Sequence, residues 1–156
     1  MAKSESPSSN VMDQVRKLLS NGQPSEAMKI LGRNRDASTV TQNARAVCLM
    51  RLGQFEDALR ILNSLAFPQG GVTMSDDAPL QVKVNHATAL LLSGNVAGCQ
   101  ATLGELREEK HPSVERLRQA IFVWRRSQSL WRRLAMGVGV YPFDAHVPLD
   151  FPPGEL

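Results

Sequence analysis

Three histidines, two cysteines and two arginine pairs are the residues of this chain whose chemistry reaches beyond packing. His86, His111 and His146 are scattered, and none has a cysteine or carboxylate at the spacing through which a loop or helix holds a metal. Cys48 and Cys99 show no ligand spacing and no disulfide density, and each falls in an apolar helical pattern. They read as small buried apolar groups. Gly70 and Gly71 lack the lysine and the strand–loop–helix setting of a phosphate loop, so they read as a plain turn. Asp76 and Asp77 stand just before Pro79, where acidic groups help a helix to start. These patterns predict no catalytic residue, no metal and no cofactor, hence a protein that is not an enzyme.

The arginines allow a different chemistry. Arg125–Arg126 and Arg132–Arg133 are seven residues apart, nearly two helical turns, and Trp124 and Trp131 precede the two pairs. On a continuous helix both pairs share a face. Guanidiniums there would meet phosphates while indoles stack on bases, which is the signature of a nucleic-acid-associated protein. The same face would also suit an anionic membrane surface or a homodimer contact. In a plainer reading the tryptophans cap the core and the arginines are solvated. Charge by position sharpens the feature: residues 1–109 are neutral, residues 110–136 carry seven Lys/Arg against Glu115 alone, and residues 137–156 hold three acids and no base.

The elements that position these groups follow from an internal repeat. LLSNGQPSEAMKIL (Leu18–Leu31), LMRLGQFEDALRIL (Leu49–Leu62) and LLLSGNVAGCQATL (Leu90–Leu103) align on Gly22/Ala27/Leu31, Gly53/Ala58/Leu62 and Gly94/Cys99/Leu103. A glycine ends one helix, a small residue lets the next helix approach, and a leucine returns to the same face one turn on. Phe55, Ala58, Leu59, Leu62, Leu65 and Ala66 form an apolar stripe with Glu56, Asp57, Arg60 and Asn63 opposite. Phe67–Pro79 (FPQGGVTMSDDAP) is a loop by composition.

The pattern resembles the tetratricopeptide repeat over roughly Val11–Arg107. The middle unit matches best, through Ala46, Gly53, Phe55, Ala58 and Leu62. Spacings of 31 and 41 residues between the glycines depart from the family's period of about 34. The resemblance implies an all-α, right-handed superhelix of about three hairpins, and a concave groove for an extended peptide. Arg16, Gln42, Arg45, Lys83, Asn85 and Thr88 are the matching exposed groove candidates. The family's clamp for chaperone carboxylates is not expected, because Met12, Arg16, Ala44, Gln81 and Asn85 occupy its positions.

Three further expectations concern the ends. Residues 1–10 read as a disordered start, and residues 112–136 as one long capping helix that completes a helical domain over 11–136. Residues 137–156 read as an extended Pro-rich acidic tail. Its Tyr141, Phe143 and Phe151 would pack along the chain's own helices or dock into another protein. With no apolar run near the roughly 20 residues of a membrane span, the expected protein is a cytoplasmic adaptor or scaffold that binds a protein or peptide.

Overall fold

Each hairpin is made by a helix that is forced to stop. In the computed structural model, which describes residues 7–34, 36–68, 70–71, 73–106, 110–142 and 145–156, Gly53 adopts φ +78°. This backbone region disfavours any residue with a Cβ. The Gly53 N–H donates to Met50 O (3.1 Å) and the Gln54 N–H to Leu49 O (2.9 Å), the paired bonds of a Schellman motif. Gly22 and Gly94 close their helices by the same two bonds, and so does Gly139, a fourth stop outside the aligned segments.

The chain is all-helical, with no strand among the described residues. The helices are α1 (Pro7–Ser20), α2 (Pro24–Arg33), α3 (Thr39–Arg51), α4 (Phe55–Ala66), α5 (Leu80–Leu92), α6 (Val96–Glu105), α7 (Pro112–Ser127) and α8 (Leu130–Gly137). Helix α1 begins at Pro7, inside the segment expected to be disordered; residues 1–6 lie outside the described residues. From α1 to α6 each helix packs on the next, and α1, α3, α5 and α7 also touch in series.

The aligned small residues do the packing the spacing requires. Ala27, Ala58 and Cys99 are fully buried, as are Leu31 and Leu62. Two apolar clusters result. One is built on α1–α4 with Val82 and Ala89 of α5; the other joins α5–α8 and residues 145–147. Leu59 borders both. Burial pushes the Cys48 thiol up to about 11 and the Cys99 thiol up to about 12, so both stay protonated and packed.

The expected single helix over 112–136 is two helices. The chain turns extended at Gln128 and Ser129, and the Ser129 side chain caps α8 by accepting from the Arg132 N–H. Across the break the two tryptophans part company. Trp124 is buried in the second cluster, whereas Trp131 is 83% exposed.

Candidate functional site

Among the described residues, the densest long-range polar contact lies where α3 and α5 meet the backbone of residues 153–155. Asn85 is fully buried on α5. Its Nδ2 donates to Glu155 O (2.8 Å), and its Oδ1 accepts from the Glu155 N–H (2.9 Å). The second Nδ2 hydrogen goes to Asn43 Oδ1 on α3 (2.9 Å), and Asn43 Nδ2 donates in turn to Glu155 O (3.3 Å). One amide thus reads both backbone groups of a single residue, as a neighbouring β-strand would. It does so without contacting the side chain, so the grip is indifferent to which residue sits there.

Arg51, in the last turn of α3, extends the grip by two residues. Nε donates to Pro153 O (3.0 Å) and one Nη to Gly154 O (3.2 Å), while the other Nη donates to Leu19 O (2.8 Å) at the end of α1. Burial lowers the Arg51 pKa, yet three carbonyls face the guanidinium, and charge-assisted bonds of this kind are the stronger class.

The bound stretch is shaped for this seat. Pro152 and Pro153 fix an extended backbone before it docks. Gly154 is buried on Val47 and Met50 at φ +80°, and a Cβ there would stand 2.7 Å from Met50 Cε and 2.9 Å from a Val47 methyl. Glu155 receives the Ser113 hydroxyl on Oε1, with His111 Nε2 3.9 Å from Oε2. Leu156 packs on the first cluster, and Phe151 lies under the Arg116 guanidinium (5.9 Å). Upstream, Ala145 and Val147 are buried in the second cluster, and the Tyr141 hydroxyl bonds Gln100 Oε1. Phe143 lies outside the described residues.

Gly154→Ala is therefore expected to free residues 151–156 at a cost on the order of 1–3 kcal/mol. Gly139→Ala shares the positive φ (+86°) but meets nothing within 4 Å, so it isolates the backbone part of that cost. Hydrogen exchange at the Glu155 amide reads the result. Unchanged protection in Gly154→Ala would contradict the tight seat.

The groove candidates scatter. Asn85 and Thr88, expected exposed, are both buried, and the Thr88 hydroxyl is spent on Val84 O in its own helix. Arg45 donates to Leu31 O and Asn34 O (both 2.9 Å) and ties α3 to the end of α2. Arg16 is exposed and paired with Asp13, Gln42 is half-buried, and Lys83 reaches Asp76 O at 3.5 Å. Asn43 and Arg51, both central to the contact, are not among the candidates. Arg51 has the stronger sequence signal, a cation two residues before the helix-ending Gly53.

Of the basic-helix candidates, the two tryptophans separate while three of the arginines stay together. Trp124 is buried and unavailable for stacking, while Trp131 is exposed. Arg125, Arg126 and Arg133 border one surface cavity of about 580 Å³, and Arg132 donates to Gln128 Oε1 (3.3 Å). Among the described residues no three of His, Cys, Asp and Glu gather at metal-binding distance, and no helix is long and apolar enough to cross a membrane. Comparison with protein families, with characterised proteins and with solved structures finds no match to this chain.

Proposed function

We propose that this chain is a non-enzymatic protein-binding module, a tetratricopeptide-like right-handed stack of three hairpins, whose α3–α5 face receives an extended Pro-Gly-containing peptide. Residues 151–156 are that peptide supplied in cis. The observation that carries this reading is the two-point hold of Asn85 on the Glu155 backbone. A structural strap needs only apolar burial, which Ala145 and Val147 already provide. A buried amide pair that matches peptide N–H and C=O recognises backbone as such, the logic by which grooves take peptide ligands. The nucleic-acid reading of α7 and α8 loses one of its two stacking rings with the burial of Trp124.

Displacement tests it. A chain shortened after Leu149 keeps Ala145, Val147 and Leu149 but lacks the anchored stretch. A labelled peptide of sequence DFPPGEL, matching Asp150–Leu156, is expected to bind the shortened chain. The full chain should bind it at least about tenfold more weakly, because a tethered competitor acts at millimolar effective concentration. The peptide with Gly replaced by Ala should lose binding. A folded shortened chain that ignores the peptide would overturn the proposal.

A further inference from the structure

Helix α8 carries its apolar face on the wrong side for a globular protein. Met136 is its one buried residue and roots it in the second cluster. Leu130 and Leu134, about one turn apart, lie roughly opposite Met136 around the helix. They face solvent together with Trp131, and Leu130 and Trp131 are 73% and 83% exposed. Phe122 of α7, also exposed, borders the same surface cavity as Leu130 and Leu134, and Val138 just beyond α8 is 80% exposed. Monomeric soluble proteins rarely display a contiguous apolar surface of this kind without a use for it.

The charges around the patch select the partner. Residues 116–142 contain six arginines and no Asp or Glu. Arg118 is engaged with Glu115 and with Leu103 O and Leu106 O, and Arg116 covers Phe151. Arg125, Arg126, Arg132 and Arg133 remain, and none forms an ion pair among the described residues. Three of them rim the 580 Å³ cavity whose other borders are Phe122, Leu130 and Leu134, a cationic edge around an apolar floor. A second copy meeting this face with its own, as in a two-fold dimer, would bring four like charges to these four cations. A nucleic acid would meet mostly aliphatic groups that cannot stack, and Phe122 already lies beneath the Arg126 guanidinium (5.4 Å). Phosphates lying over hydrocarbon match both halves of the surface.

We infer that the α8 face is a peripheral membrane-docking surface for anionic phospholipid. Leu130, Trp131 and Leu134 enter the boundary between headgroups and acyl chains, and the four arginines meet the headgroup phosphates. The helix lies along the surface and does not cross it. The Asn85 anchor shares no residue with this surface.

The test is vesicle flotation of the full chain, with phosphatidylcholine alone and with about a third of the lipid replaced by phosphatidylserine. Binding to the anionic vesicles is expected to exceed binding to the neutral ones by about tenfold or more and to weaken with salt. Trp131 emission should shift to the blue on binding, and Trp131→Phe should abolish the shift. The double variant Leu130→Glu/Leu134→Glu should lose about tenfold or more in binding, and Arg132→Gln/Arg133→Gln a comparable amount. Both should keep the wild-type circular dichroism and melting temperature, since only exposed side chains change. Equal capture by both vesicles, no capture, or binding untouched by the Leu variant would overturn the inference. So would either of two results without lipid: retention of polyuridylate that survives the Leu variant, which assigns the arginines to nucleic acid, or a dimer that the Leu variant dissolves, which assigns the apolar face to a second copy.

Discussion

Asn85→Ala is expected to lower stability by about 3 kcal/mol and the melting temperature by about 10 °C, at the few degrees per kcal/mol usual for a chain of this size. The substitution removes three hydrogen bonds at once. It leaves Asn43 Oδ1 and the Glu155 N–H without their partner, and Glu155 O with only the longer bond from Asn43 Nδ2. A buried polar group stranded in this way costs about 1–3 kcal/mol. The structure can limit the loss only by letting residues 153–156 go to water, so the Glu155 amide should exchange far faster in the variant. Asn85→Asp separates shape from polarity. It keeps the acceptor for the Glu155 N–H but aims a carboxylate oxygen at two acceptors, Asn43 Oδ1 and Glu155 O, so it should be at least as damaging as Ala. Equal exchange at Glu155 in wild type and Asn85→Ala would show that the amide is not what holds the segment.

The second large effect is acid destabilisation centred on His86. The imidazole is buried between Asn63 Oδ1 on α4 (2.8 Å from Nε2) and Thr102 Oγ1 on α6 (3.4 Å from Nδ1), with the Phe67 ring against it. Both polar partners are neutral, and one ring N–H plus one ring lone pair serve them both. Burial pushes the His86 pKa from 6.5 down to about 4. Above pH 6.5 neither folded nor unfolded chain binds the proton, and stability is unaffected. Between 6.5 and about 4 only the unfolded chain binds it, so stability falls with pH across that window, by roughly 3 kcal/mol in all. Asp36 adds a loss of the same sign: hydrogen bonds from Ser38 lower its pKa, and its contribution disappears at still lower pH. Denaturant titrations at neutral pH and near pH 4.5, for wild type and His86→Gln, separate the two. The variant should lose most of the slope in that window, and a variant as acid-sensitive as wild type would place the linkage elsewhere.

The parts of the fold legible in the sequence are those fixed by short-range chemistry. Gly22, Gly53 and Gly94 mark helix stops because only glycine takes the required backbone cheaply, and Ala27, Ala58 and Cys99 mark close approach because size decides it. The break at Ser129 escaped because Trp124 and Trp131 sit at a helical interval that continues through it; the local cap at Ser129 outweighed that periodicity. The site was harder to foresee. Asn85 was visible as a groove position, but an exposed one, since its burial comes from residues about 70 positions away. Asn43 and Arg51 make sense only once that distant backbone lies between them. Composition did not distinguish a tail that packs on its own helices from one that docks elsewhere.

The same sequence distances order the assembly in time. Arg45 reaches Leu31 across 14 residues, whereas Asn43 reaches Glu155 across 112. Closing the longer loop in an unfolded chain costs roughly 2 kcal/mol more entropy. The helical hairpins, whose contacts are local, are set to form first, and the anchor last. During synthesis the lag is built in, because α1–α6 are added to the chain before residues 151–156. Every newborn molecule therefore passes through an interval in which Asn85 lacks the backbone it will later hold.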